Sequence, residues 1–254
     1  MKETTDARID EQLVQFTLSM ADDELILAHR NSEWTGHAPI LEEDIAFSNI
    51  AQDELGHASL WYDLCCNLSD DDPDRLVFFR TPDEYRNVLM VELPKSDWAF
   101  TIARQYLFDA YELVSLNNLV NSTYRPIAEV AGKIRTEEIY HYRHTSSWIK
   151  RLGLGTEESN MRTQKALNEL WSFAGQLFID SPSIQMLADS GVAPRSEILR
   201  QEWEEIVVPF LQDSGFLIPS AEPVDAIRGD HTGNLTSLLA EMQEVARTDP
   251  SAKW

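Results

Sequence analysis

Four stretches with helical hydrophobic periodicity constrain the fold of this chain more than any other feature of its sequence. Apolar residues recur at the three- and four-residue spacing of a helix face, and the alternation expected of strands is scarce. Each stretch is roughly 25 residues long, and a long connection separates the first pair from the second. This pattern predicts an all-α fold, a four-helix bundle with one crossover. The helices are predicted near residues 6–30, 41–68, 96–121 and 126–152.

Local signals mark several ends of these helices. Ser96 is a candidate N-cap for the third helix, and Pro126 suits the start of the fourth, which is predicted to end near Gly153. The acidic stretch "SDDDPD" (69–74) predicts a loop after the second helix. The apolar face of the first helix is predicted to consist of Ile9, Leu13, Phe16, Met20 and Leu27.

The C-terminal third carries further helical patterns. Two of them are "TQKALNELWSFAGQLF" and "RSEILRQEWEEIVVPFL", and a short amphipathic helix begins near Leu235. A stretch rich in proline and glycine, residues 213–233, precedes that last helix. We expect one domain over residues 1–254, in which the helices of 157–250 pack on a core bundle over 6–152.

The charge of the chain excludes two classes of partner. There are 43 acidic and 21 basic residues, which gives a net charge of −22. Binding of nucleic acid needs a basic footprint, and anionic membrane surfaces attract basic segments, so neither is expected as a partner. No apolar run reaches the roughly 20 residues that a bilayer span requires, so no membrane segment is expected.

The start of the sequence and its cysteines indicate the compartment. The N-terminal "MKETTDARIDEQ" lacks the apolar core of a secretory signal. Cys65 and Cys66 are adjacent, so they offer neither a disulfide framework nor a C-x-x-C site. We therefore expect a cytoplasmic protein.

Two Glu-x-x-His motifs are the strongest chemical signal. One is Glu54-Leu-Gly-His57 on the second predicted helix, and the other is Glu138-Ile-Tyr-His141 on the fourth. With 23 Glu and six His in 254 residues, chance supplies about half of one such motif, so a single copy means little. Their placement is more specific, because di-iron carboxylate bundles carry Glu-x-x-His on two helices and one acid on each of the other two.

The same template requires an inward-facing acid on the first and third helices. Glu24, which lies 30 residues before Glu54, is flanked by apolar residues at helical spacing. On the third helix Asp109 lies 29 residues before Glu138, and Glu112 is a rival one turn further on. Carboxylates with imidazoles suit iron, or manganese as an alternative, at two positions. The predicted ligands are Glu24, Glu54, His57, Asp109, Glu138 and His141.

These residues also have structural interpretations. A lone Glu-x-x-His on a surface helix is usually a solvated pair, since charged side chains are mostly exposed. Glu24 follows Asp22 and Asp23, which fits an acidic surface facing solvent, and Asp109 fits a structural hydrogen-bonding role. Six such groups on four helices favour the metal site over these alternatives.

Four collinear stretches carry a family resemblance. They are "SEWTGHAPILEEDIAFSNIAQDELGHA", "DWAFTIARQYLFDAYE", "EEIYHYRHTSSWIKRLG" and the closing "LAEMQ…W". From about Gln12 to Trp254 the chain resembles the small ferritin-like subunit of the phenylacetyl-CoA ring-1,2-epoxidase, a multicomponent oxygenase of aerobic phenylacetate breakdown. The resemblance implies a ferritin-like bundle that pairs with a larger subunit, which carries the catalytic di-iron site and binds the CoA thioester. A reductase and small accessory subunits complete such a system.

The ligand positions differ from that family pattern. The resemblance implies a structural subunit whose ligands are eroded, whereas this chain has Glu24, Glu54 and His57. We therefore expect a non-catalytic or auxiliary subunit of the epoxidase that keeps a metal-competent site, and a subunit with vestigial ligands is the main alternative. A stand-alone di-iron oxygenase or desaturase, a ferritin-like or rubrerythrin-like iron-handling protein and a radical generator are others. A rubrerythrin-like protein would add a C-x-x-C iron site, which is absent.

Overall fold

The computed structural model describes residues 2–179 and 182–252, which form eleven α-helices, a 3₁₀ turn at Pro82–Glu84 and no strand. The four predicted helices correspond to the first, second, fifth and sixth of them, so the all-α prediction is confirmed. None of the described helices has the length and apolarity to cross a membrane. In chain order the helices are α1 (Lys2–Ser32), α2 (Leu41–Ser69), α3 (Pro73–Phe78), α4 (Leu89–Glu92), α5 (Trp98–Leu119), α6 (Arg125–Gly153), α7 (Glu157–Gln176), α8 (Pro182–Asp189), α9 (Ser196–Asp213), α10 (Gly233–Met242) and α11 (Glu244–Thr248).

The apolar face predicted for the first helix is buried where the structure describes it. Leu13, Met20 and Leu27 are buried, and Phe16 is partly buried against the core. Ile9 lies outside the described side chains. Helix α1 packs along α2, so these residues contribute to the contact between the first two helices of the bundle.

Two boundaries differ from those expected from the sequence. Helix α5 is capped by Asp97, not by Ser96, and the Asp97 carboxylate accepts a hydrogen bond from the Phe100 N–H at 2.9 Å. The N-cap position directly precedes the first helical residue, and only there does a side-chain oxygen reach the free N–H groups of the first turn. The loop predicted at 69–74 is shorter, because α3 begins within it at Pro73.

The cap assignment predicts different effects for two adjacent residues. Asp97→Ala is expected to lower the free energy of unfolding by about 1 kcal/mol, because the hydrogen bond to the first turn of α5 is lost. Ser96→Ala is expected to change it by less than about 0.5 kcal/mol, as for an exposed residue without such a role. Urea denaturation measures both values, and equal effects would contradict the assignment of Asp97 as the cap.

Helix α5 is the central helix of the fold. It packs against α6, α7 and α9, while α1 pairs with α2 and also contacts α8. Almost all residues of α5 are buried, including the polar Gln105, Asp109 and Glu112. Buried polar groups need partners, so these side chains have to interact with the protein or with a bound ion.

Two buried acids hold α1 to segments far away in the sequence. Asp22 Oδ2 accepts a hydrogen bond from Arg80 Nη1 at 3.0 Å, and Asp23 Oδ2 pairs with Arg228 Nη1 at 2.8 Å. The Val88 N–H also donates to Asp23 Oδ1 at 2.7 Å. These contacts tie both the long connection and the C-terminal region to α1.

Candidate metal centre

Buried acids and histidines from four helices meet inside the bundle in two groups that share Glu54. Within each group, one ligand atom from every residue lies within 4.8 Å of the others. The ring centroids of His57 and His141 are 5.7 Å apart. Five of the six predicted ligands therefore lie in two adjacent groups. The first group is Glu24, Glu54, His57 and Glu112, and the second is Glu54, Glu138 and His141.

The spacing of the Glu-x-x-His motif explains how each helix contributes a pair. Residues three apart are neighbours on a helix surface. On α2, His57 Nδ1 lies 3.6 Å from Glu54 Oε2, and on α6, His141 Nδ1 lies 3.1 Å from Glu138 Oε2. All four side chains are buried, so neither motif is a solvated surface pair.

The acidic triplet of α1 does not face solvent. Asp22, Asp23 and Glu24 are each at most 1% exposed. The two aspartates are neutralised by the arginines described above, whereas both carboxylate oxygens of Glu24 lack a hydrogen-bond partner among the described residues. The alternative of an acidic surface therefore does not apply, and Glu24 is the member of the triplet that joins the cluster.

Asp109, the acid predicted from the third bundle helix, lies in neither group. Its oxygens accept hydrogen bonds from Gln105 Nε2 and Thr145 Oγ1, each at 2.7 Å. Glu112, the rival one turn further along α5, lies in the first group, and both of its oxygens lack a hydrogen-bond partner among the described residues. The geometry therefore favours Glu112 as the ligand from α5. Spacing did not separate the two, because residues three apart share a helix face.

Unpartnered polar atoms show that this donor set fits metal ions. A buried carboxylate without a partner is costly, and a bound cation removes that cost. The carboxylates of Glu24, Glu54, Glu112 and Glu138 would balance two divalent ions, and their mixture with imidazoles suits iron or manganese. The buried ligand atoms without a hydrogen-bond partner in the described chain are Glu24 Oε1 and Oε2, Glu54 Oε2, His57 Nδ1, Glu112 Oε1 and Oε2, and Glu138 Oε1.

The carboxyl groups of the cluster have opposite pKa shifts. Burial raises the pKa of Glu24, Glu112 and Glu138 well above the usual glutamate range, and the negative charge of neighbouring glutamates raises it further. Burial also acts to raise the pKa of Glu54, but the adjacent Glu24 carboxyl group and the charges of both histidines lower it to about 2. Without a cation, the cluster therefore keeps protons on several of its carboxyl groups.

Both histidines of the cluster, and Asp109 of α5 outside the two groups, also have raised pKa values. Burial alone would lower the pKa of His57, but the close carboxylate of Glu54 and other nearby carboxylate charges raise it to about 9. Burial would also lower the pKa of His141, but the hydrogen bond to Asp53 and nearby carboxylate charges raise it. Burial raises the pKa of Asp109 to about 7. Because metal ligands must be deprotonated, a cation has to displace protons from this cluster.

Two further acids support the histidines, and the Glu-x-x-His spacing does not indicate them. Glu137 Oε2 lies 2.9 Å from His57 Nε2, and Asp53 Oδ2 lies 3.2 Å from His141 Nε2. Each acid thus contacts the histidine of the other helix and directs its Nδ1 toward the cluster. Each acid immediately precedes the glutamate of a motif. The sequence signal for them is therefore an acidic residue directly before Glu-x-x-His, as in "DELGH" and "EEIYH".

These supporting acids lead to a prediction about metal affinity. Asp53→Asn and Glu137→Gln are each expected to weaken metal binding by about 10- to 100-fold, because partners that orient a ligand histidine typically contribute that much. Competition with a chelator of known affinity measures the change. Asp63→Asn is the matched control, because Asp63 is an exposed acid on α2 away from both groups. An equal loss in the control would contradict the orienting role.

The fold and the site define a helical-bundle protein of the ferritin-like class, with carboxylate and histidine side chains from four helices at its centre. The family described as "Phenylacetic acid catabolic protein" matches residues 1–254, and the chain belongs to this family. It is 36% identical over 247 residues to the C-type subunit of the 1,2-phenylacetyl-CoA epoxidase of Escherichia coli K12, covering 96% of this chain and 99% of the relative. It is 25% identical over 210 residues to the A-type subunit of the epoxidase from the same organism, covering 80% and 67%. The family resemblance predicted from the sequence is confirmed.

Proposed function

We propose that this chain works as the C-type subunit of a 1,2-phenylacetyl-CoA epoxidase and pairs with a larger A-type subunit that carries out the epoxidation. The observation that carries the proposal is the match to the C-type relative, with 36% identity over 99% of its length. The match to the A-type relative has 25% identity and covers 67% of its length. The chain therefore corresponds to the C-type position in a complex of related subunits.

The charge of the chain supports this division of labour. A CoA thioester carries several negative charges, and this chain has a net charge of −22. Two arginines that contact α1, Arg80 and Arg228, are already paired with its buried acids. A chain of this kind is a poor site for a polyanion, because like charges repel it. We therefore assign binding of the CoA thioester to the A-type subunit.

The buried cluster is proposed as a structural or auxiliary site for two divalent metal ions, iron or manganese. Iron in a carboxylate and histidine site supplies chemistry with O₂. The side chains of this chain would hold the ions and keep the ligands in position. Asp53 and Glu137 fix the orientation of the imidazole rings, and Gln105 donates a hydrogen bond to Glu54 Oε1 at 2.9 Å. The unpartnered carboxylate oxygens support this assignment. The proposed ligands are Glu24, Glu54, His57, Glu112, Glu138 and His141.

The remaining partners follow from the same proposal. We expect a reductase that supplies electrons and small accessory subunits that complete the complex, all in the cytoplasm. The contact with the A-type subunit is expected to bury more than about 2,000 Å², as obligate subunit interfaces do. Exposed apolar side chains are available for such contacts on several helices, including Leu41 and Ile45 on α2 and Tyr140 on α6.

Reconstitution tests this assignment. The chain is mixed with the reductase and the A-type subunit, and epoxidation of phenylacetyl-CoA is compared with that of each chain alone. We expect turnover only when both subunits are present. The variant Glu54→Gln/His57→Ala is expected to support full turnover if the site is structural or auxiliary, and size-exclusion chromatography checks that it still forms the complex.

Two results would change the assignment. Turnover by this chain without a partner would replace it with a self-sufficient oxygenase. Loss of turnover with the double variant, in a complex that still forms, would move catalysis to this chain.

A further inference from the structure

A pocket of about 570 Å³ lies between α2 and α6, next to the metal centre. It contains exposed residues such as Asn49 and Tyr140, and its wall also includes the buried His141 of the second ligand group. Glu24 and Glu112 of the first ligand group do not line it. The α2–α6 pocket thus connects the protein surface to one side of the cluster.

We propose that the α2–α6 pocket is the route by which divalent metal ions reach the buried site. The inference rests on the proposed metal-binding role of the cluster. The ions enter past Glu43 and His144, pass Asp53 and arrive first at the group that contains His141. The ion between Glu54, Glu138 and His141 is accordingly the one that loads and exchanges through this route.

The side chains along the pocket are metal-binding types on facing helices. Glu43 on α2 and His144 on α6 are in contact across the pocket, with Glu43 Oε2 lying 2.9 Å from His144 Nε2. Further along, Asp53 contacts His141 at 3.2 Å, and its side chain is 44% exposed. Glu43 and Asp53 are ten residues apart on α2, so about 15 Å of the pocket separates them. A cation can therefore move from a surface pair to a ligand histidine along oxygen and imidazole donors.

The net charge of the chain favours the approach of cations. The net charge of −22 attracts cations to the protein, and within the pocket the acids Glu43 and Asp53 lie along the proposed route. Two arginines, Arg143 and Arg151, also line the pocket. The guanidinium of Arg151 lies 4.9 Å from the centroid of the Trp148 ring, and Arg143 is exposed. Neither arginine forms one of the two acid–histidine contacts that mark the route.

The test is the rate of Co²⁺ uptake by the full chain, followed by visible absorption in a stopped-flow instrument. Glu43→Gln keeps an oxygen that accepts from His144 but removes the charge, and it is expected to slow uptake about fivefold, as expected for a charge near the path of a divalent ion. Asn49→Trp is expected to slow uptake by filling the pocket. Metal analysis at equilibrium is expected to give the same final content as the wild type in both variants.

Matched controls come from the same helix. Glu42→Gln removes the neighbouring acid and Gln52→Trp adds the same bulk, and both residues are exposed outside the pocket. Unchanged rates in these controls with slower uptake in both pocket variants support the route. Uptake by the pocket variants at the control rate, with full final content, would overturn the route and leave the site intact. Wild-type protein that binds no Co²⁺ at equilibrium would overturn the metal site itself.

Discussion

The double variant His57→Ala/His141→Ala is expected to bind no iron, whereas the wild-type chain binds two Fe²⁺ ions, one in each ligand group. Each substitution removes the single imidazole of one group. Three of the remaining carboxyl groups, those of Glu24, Glu112 and Glu138, have pKa values raised by burial and retain their protons in the absence of a strong competing ion. Anaerobic equilibrium dialysis with metal analysis measures the content of both proteins.

Thermal unfolding provides a second measurement of the same loss. A ligand present at 100 times its dissociation constant stabilises the native state by about 2.7 kcal/mol, so Fe²⁺ should raise the Tm of the wild type and leave that of the double variant unchanged. His37→Ala is the matched control, because His37 is exposed and lies in neither group. Unchanged iron content in the double variant would mean that the site is elsewhere or absent.

The metal-free chain is expected to lose stability as the pH rises from about 5 to 9, and loading with metal should largely remove this dependence. Glu24, Glu112 and Glu138 have raised pKa values because they are buried, so the folded chain binds more protons than the unfolded chain. Stability therefore falls as pH rises above the unfolded pKa of these groups, by up to about 1.4 kcal/mol per pH unit for each group.

The pKa values of His57 and Glu54 set the upper and lower limits of this pH range. His57, with a pKa of about 9, acts in the same direction, and its contribution is lost between the unfolded histidine pKa and about 9. Glu54, with a pKa of about 2, acts in the opposite direction, but its contribution is complete above its unfolded pKa and disappears only as the pH falls toward 2. The expected slope between pH 5 and 9 is therefore negative.

Urea denaturation of metal-free and metal-loaded protein, from pH 5 to 9 at constant ionic strength, measures this slope. The variant Glu24→Gln/Glu112→Gln is the matched comparison, because the amides are isosteric and do not titrate. In this variant, the free energy of unfolding of the metal-free protein should fall less steeply with pH than in the wild type. A metal-free wild type that is equally stable across this range would contradict the buried, protonated cluster.

Much of the fold and five of the six candidate ligands could be predicted from the sequence. The bundle helices follow from hydrophobic periodicity, and the pairing of Glu54 with His57 follows from the three-residue spacing on a helix. The ends of the helices were predicted less accurately. For example, Ser96 was the predicted cap of α5, and the structure has Asp97 in that position. A cap depends on the position of one residue, whereas periodicity averages over many.

The remaining differences concern which of several adjacent acids faces the cluster. In α1, Asp22 points to Arg80 of the long connection, and Glu24 points to the bundle centre. In α5, Asp109 is held by Gln105 and by a threonine of α6, and Glu112 takes the place near the other ligands. Such choices depend on partners far away in the sequence, and no pattern within one helix contains them.

The sequence by itself determined the helical class, the family and the two helices that carry Glu-x-x-His, because these follow from local spacing and from similarity along the whole chain. Only the tertiary structure decided that Glu112 rather than Asp109 lies among the candidate ligands, and that Asp53 and Glu137 support the histidines of the opposite helices. The physical reason is that a ligand group requires atoms within 4.8 Å of one another, and that distance is set by how the helices pack.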